Sequence, residues 1–200
     1  LGLRVWESWK SDFETFPDDG TDPSNWTSFD ARNPCSDIPK VGSGKERIIG
    51  SFVRFGDFNQ ASFGFLGNPL VAQNQTFTRY EIRVNQKEFE FIESNKLFLR
   101  KNLPQNQTPP GPALAFTDGS IEVKAAWKEL LNAMEINAAK GKYYITEAKC
   151  PNRFNAMKAE KKTLALVGFH IVAKTPSRPQ WIWASFEHKD NVPEKGAIPP

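Results

Sequence analysis

Residues 163–189 read TLALVGFHIVAKTPSRPQWIWASFEHK, and the reading of this stretch decides the fold. Two β-branched and aromatic runs flank Thr175-Pro176-Ser177-Arg178-Pro179, whose prolines and hydroxyl residues favour a turn, so the pattern predicts an antiparallel hairpin. Successive side chains on a strand point to opposite sides. On the second arm Trp181, Trp183, Ser185 and Glu187 therefore face one way, and Ile182, Ala184, Phe186 and His188 the other. The latter set looks like a core face. The former sets two indoles beside a carboxylate, which suits stacking against a sugar ring or flat ligand; tryptophans covering a second layer of helix are the plainer reading of the same pattern.

On the first arm His170 falls with Leu164, Leu166, Gly168 and Val172. A lone histidine on an apolar side is more often a satisfied core residue than a reactive one. Gly168, however, leaves room on that side for a neighbour or a ligand. Pairing about Pro176 and Arg178 brings His170 opposite Trp183 or Ala184, with Glu187 further along. An imidazole beside a carboxylate is the minimum equipment for general acid–base chemistry, because imidazole titrates near neutrality. Glu122 and Lys124, on the polar side of SIEVKAAW (120–127), add a second acid and a cation. The candidate set is thus His170, Glu187 and Glu122 for chemistry, with Lys124, Lys174, Arg178, Trp181, Trp183 and Asp190 for binding.

Working outward, KYYITEAKC (142–150) reads as another strand. In 121–134 two periods compete, and the strand alternation of Ile121, Val123, Ala125 and Trp127 is favoured, with a helical turn after it. Asn85 followed by Glu88 has the form of a helix cap and predicts a helix over 86–96. Phe77, Tyr80, Ile82 and Val84 predict a strand before it. Val5, Trp6, Trp9, Phe13 and Phe16 recur at helical spacing, which predicts a helix over 3–16 ending at Pro17. Residues 17–46 read as irregular and 47–200 as sheet-rich, interrupted by PQNQTPPGP (104–112), too rich in proline for a central strand. The sum is an α+β single domain over 1–200: an antiparallel sheet of five or more strands, one or two packed helices and long proline-rich loops.

The chain has 200 residues, enough for one sizeable core and short for two. No apolar run approaches the roughly 20 residues of a membrane helix, so no membrane span is expected. The net charge is +3, but residues 140–178 are basic and 1–37 acidic. Lysine-rich stretches are usually solvated faces, and no nucleic-acid partner is expected.

The two cysteines, Cys35 and Cys150, have no CxxC or CxxCH spacing. They read either as one disulfide, closing a loop of about 115 residues and contributing about 4 kcal/mol by loop entropy, or as two unrelated buried thiols. His170 and His188 show no HExxH spacing, no serine lies in GxSxG, and VGSGKERIIG (41–50) is no phosphate loop. Neither a metal nor a cofactor is expected.

RVWESWKSDFETF (4–16), YEIRVNQKEFEFI (80–92), GSIEVKAAWKEL (119–130) and ALVGFHIVAKTPSRPQWIWASFEHKDNVP (165–193) together resemble a family of uncharacterised, exported bacterial proteins, some of them classed with c-type cytochromes. The resemblance spans most of the chain and implies an extracytoplasmic protein, periplasmic or secreted. It also implies that further chain precedes RVWESWK. Haem binding is not carried over, since this sequence has no CxxCH. The leading expectation is an exported domain that binds a small organic or glycan-like ligand in an aromatic and polar pocket and hydrolyses it with His170 and Glu187. The alternatives are a non-catalytic module docking on a redox or cell-envelope partner, and a domain whose Trp, His and Glu merely complete the core.

Overall fold

A computed structural model of the chain describes residues 4–17, 19–27, 70–103, 114–151 and 159–191. The apolar runs expected to be strands in 47–65, the proline-rich loop 104–112, and Cys35 lie outside the described residues. Among those described, six strands form one antiparallel sheet: β1 (Lys10–Ser11), β2 (Arg79–Val84), β3 (Ile121–Leu130), β4 (Ile145–Pro151), β5 (Ala159–Thr175) and β6 (Arg178–Glu187). Helices α1 (Asp12–Thr15), α2 (Gln86–Ser94) and α3 (Ala133–Ala139) complete an α+β arrangement. None of these helices is long and apolar enough to cross a membrane.

The order β1-β2-β3-β5-β4 sets β5 between β3 and an outer edge that β4 and β6 share. One edge of β5 bonds β3; the other bonds β4 over Ala159–Ala165 and then β6 over Gly168–Thr175. The hairpin expected at Thr175–Arg178 is therefore present, and β4 lies end to end with its second arm. β3 keeps the strand alternation through Leu130, burying Val123, Ala125, Trp127 and Glu129. Helix formation waits for Asn132, whose side chain accepts from the backbone N–H of Glu135 at 3.0 Å.

The cap expected at Asn85 does more than begin α2. Its Oδ1 accepts from Glu88 N and Ile121 N, each at 3.1 Å, and its Nδ2 donates to the carbonyl of Gly119 at 2.8 Å. One side chain thus joins the start of α2 to the start of β3.

The helix expected over 3–16 is not continuous. A 3-10 turn over Val5–Ser8 gives way to β1 and then to the four residues of α1. Lys10 and Ser11 pair with Val84 and Arg83, which removes their backbone from any helix. Ser11 then restarts helical structure, its backbone N–H and hydroxyl donating to Glu14 Oε2 at 2.9 and 2.7 Å. The helical spacing of the apolar residues reflects instead how Trp6 reaches the core, 6.3 Å from Trp127 and 5.0 Å from Phe169 between ring centroids.

The core is built from Ala125, Trp127, Ala148, Cys150 and Leu164. Beside it β2 buries charge: Arg79, Glu81 and Arg83 all face inward. Arg79 pairs with Glu129, Arg83 Nε donates to Glu81 at 2.7 Å, and the indole N–H of Trp127 donates to Glu81 at 3.2 Å. Buried charges persist only when paired in this way, and removing one partner typically costs about 3–5 kcal/mol. Cys150 is a free thiol that burial pushes up to about 12.

One irregularity in β5 positions the site. Ala126 pairs with Gly168 but Trp127 pairs with Leu166, so Val167 is an extra residue, a β-bulge. The bulge reverses the alternation: Leu164 and Leu166 turn to the Trp127 side, while Gly168, His170 and Val172 share the opposite face. The expectation that His170 lies with Leu164 and Leu166 is corrected accordingly. His170 is exposed and is no part of the core.

Candidate functional site

Three rows of cross-strand neighbours define the face that carries His170. The first is Lys10, Val84, Glu122, Val172 and Trp183; the second Ile82, Lys124, His170 and Ser185; the third Tyr80, Ala126, Gly168 and Glu187. Two small residues occupy the middle of the third row, with a large side chain at each end. A Cβ added to Gly168 would lie 3.4 Å from Ala126 Cβ, so these residues make a floor. The result is an open pocket of about 390 Å³.

Its walls come from distant parts of the chain. Leu70, Val71, Ala72 and Gln73 form one side. This segment is anchored by Asn74, whose Nδ2 donates to the Glu129 carbonyl and to Glu135 Oε2, both at 2.8 Å. Tyr143, Asp190 and Asn191 form the other side. Here the bulge acts directly, because its carbonyl, Val167 O, accepts from His188 N at 2.9 Å and from Asn191 Nδ2 at 2.7 Å. Those bonds hold the 3-10 turn Lys189–Asn191 against the pocket.

His170, Glu187 and Asp190 all line this pocket, so three of the residues singled out from sequence converge. His170 Nδ1 lies 2.7 Å from Ser185 Oγ. The expected partner was Trp183 or Ala184. A two-residue turn at Pro176–Ser177 with an unbroken ladder sets His170 against Trp183, but a register shift between Ala173 and Thr175 moves the pairing by two residues to Ser185. Lys124, the neighbour of His170 on β3, has its ammonium 4.9 Å from the centroid of the Tyr80 ring.

The other candidates lie elsewhere. Glu122 is half-buried in the first row, its carboxyl raised above the usual range by burial against the opposing pull of Lys124. Lys174 braces the hairpin, donating to the carbonyls of Arg178 and Pro179 at 3.1 and 2.9 Å, and Arg178 opens β6 beside it. Trp181 packs edge-on to Phe116 at 5.3 Å, and Phe116 in turn lies 4.5 Å from Phe91 of α2. Trp183 is 69 % exposed and does not line this pocket. Nor is the opposite side of β6 a core face, since Ile182 and Phe186 are 45 % and 56 % exposed. An edge position, bonded only to β5 among the described residues, accounts for this.

Aromatic walls are present, but they are Tyr80, Tyr143 and Phe186 rather than the tryptophans. Tyr80 and Tyr143 line the pocket, and burial raises both phenols above their ordinary range, with Asp190 adding to the effect on Tyr143. Both are therefore neutral hydroxyls at physiological pH. Tyr143 stacks on His188 with centroids 3.8 Å apart. His188 Nδ1 accepts from Asp190 N at 3.2 Å and Nε2 donates to the Lys142 carbonyl at 3.1 Å, so this second histidine spends both nitrogens on structure.

Sequence reasoning missed Tyr80, Tyr143, Lys128 and Ser185. Ser185 already stood on the Glu187 side of the alternation, and only the register was needed to find its contact with His170. No group of three or more His, Cys, Asp or Glu among the described residues is placed to hold a metal ion. Comparison with protein-family models, curated proteins and solved structures finds no match for this chain.

Proposed function

We propose that the protein binds a small organic or glycan-like ligand in the pocket floored by Ala126 and Gly168, and hydrolyses it with His170 and Glu187 as an acid–base pair. The observation that carries this reading is the convergence of His170 and Glu187 on one pocket from adjacent strands. A volume of about 390 Å³ suits a small ligand. Tyr80 and Tyr143 supply apolar ring faces and hydroxyls. In the reaction one of the pair takes a proton from water as its oxygen bonds the substrate, and the other returns a proton to the leaving group.

A calorimetric and thermal-shift screen of monosaccharides, disaccharides and small esters tests the reading. Binding that is lost in His170→Ala or Glu187→Gln without a change in melting supports it. Binding unaffected by both substitutions removes the pocket from consideration.

Trp183 and Ile182, both exposed on the edge strand β6, favour a second reading, in which this edge docks on a redox or envelope protein. Trp183→Ala separates the two, since it weakens docking and leaves pocket binding intact. The resemblance to exported proteins supports an extracytoplasmic location, which cell fractionation checks.

A further inference from the structure

Among the described residues, His170 keeps a ring nitrogen without a protein partner, whereas His188 uses both of its own. The Nδ1 of His170 meets Ser185 Oγ at 2.7 Å, and among the described residues Nε2 has no protein partner. A histidine acting as a base must offer a lone pair at a nitrogen the substrate can reach. Which nitrogen carries the proton is set by the hydrogen bond that the other one makes. With the Nδ1 edge turned to β6, only Nε2 can serve the pocket that His170 lines. Yet neutral imidazole intrinsically favours a proton on Nε2, which would leave the lone pair at Nδ1.

We propose that Ser185 is a positioning residue whose hydroxyl accepts the Nδ1–H of His170 and so holds the imidazole in the tautomer with its lone pair at Nε2. A serine hydroxyl accepts and donates, and the exposure of Ser185 lets its own proton go to solvent. Lys124, the register neighbour of His170 on the side away from Ser185, turns its ammonium over the Tyr80 ring, 4.9 Å from the centroid, so Ser185 is the partner that orients the imidazole. Ser185 does not touch the substrate in this scheme, and its role rests on the reading of His170 as the pocket's acid–base group.

The test needs no ligand. With imidazole nitrogens labelled with ¹⁵N, the protein at pH 8 gives signals from only two histidines, assigned with His170→Gln. His188, whose Nδ1 accepts from Asp190 N, is the internal reference for the Nε2–H form. The expected result is the opposite tautomer at His170, with a protonated Nδ1 and a lone-pair shift at Nε2. Ser185→Ala should return His170 to the Nε2–H form or to a mixture, and Ser185→Thr should restore the wild-type pattern. The proposal is overturned if wild-type His170 shows the Nε2–H form, or if Ser185→Ala leaves the tautomer unchanged. Either failure leaves ligand binding untouched, whereas an empty ligand screen beside the expected tautomer would remove the pocket reading alone.

Discussion

The side-chain amide of Asn191 donates to the carbonyl of Val167 at 2.7 Å, linking the turn that carries Asp190 to the bulge that turns His170 outward. A bulge leaves a carbonyl outside the regular ladder, and here that carbonyl becomes the anchor for a pocket wall. Asn191→Ala removes one of its two donors and leaves His188 N in place. We expect a loss of about 0.5–1.5 kcal/mol, the usual worth of such a bond, read as a shift of the urea midpoint at constant slope. No change in midpoint would mean that the contact does not hold the turn.

Gly168 separates fold from site. Its Cβ position meets Ala126 Cβ at 3.4 Å, an ordinary contact, so Gly168→Ala should fold with its melting temperature little changed. Gly168→Phe carries its ring over the pocket floor and should lose ligand binding by tenfold or more, about 1.4 kcal/mol. Titration calorimetry of both variants checks this, and full affinity in the phenylalanine variant would place the ligand elsewhere.

Glu88 predicts how stability depends on pH. Burial, reinforced by Glu122, raises its carboxyl from 4.5 to about 8, and among the described residues its Oε2 has no hydrogen-bond partner. The folded state therefore holds this proton where the unfolded chain has released it. The stabilisation is complete below pH about 4.5 and is lost as pH rises through about 8. Glu88→Gln mimics the protonated form and should flatten this loss, gaining on the order of a few kcal/mol at pH 9 and almost nothing at pH 4. Equal gains at both values would show that burial of charge is not the cause.

Cys150 is wholly buried and its thiol is pushed up to about 12, so it should resist alkylation in the native protein and react once denatured. Peptide mapping after alkylation in denaturant without reductant tests it. An unmodified Cys150 peptide joined to the peptide bearing Cys35 would contradict the free thiol.

How far the fold could be read from sequence follows from which interactions are local. The Asn85 cap, the β3 alternation and the closing hairpin depend on neighbours a few residues apart, and each appears where the residues put it. His170, Glu187 and Asp190 were legible as a group for the same reason, all belonging to one hairpin and its exit. What escaped depends on distant partners. Val167 looks like any strand residue, and nothing local marks it as a bulge. Trp6 and Trp9 show helical spacing, but the pairing of Lys10 with Val84 takes the chain out of a helix. The 70–73 wall is tied back by Asn74 and by the bridge of Val71 to Phe77, and Tyr143 is held by its stack on His188, contacts invisible to periodicity.

The central claim is that His170 and Glu187 serve one ligand-binding pocket, and crystals soaked with a mixture of monosaccharides and small organic fragments test it most directly. The account predicts density over Gly168, in contact with His170 Nε2 and the Glu187 carboxylate. Fragments confined to the exposed Trp183 edge, with the space over Gly168 closed by side chains, would contradict it.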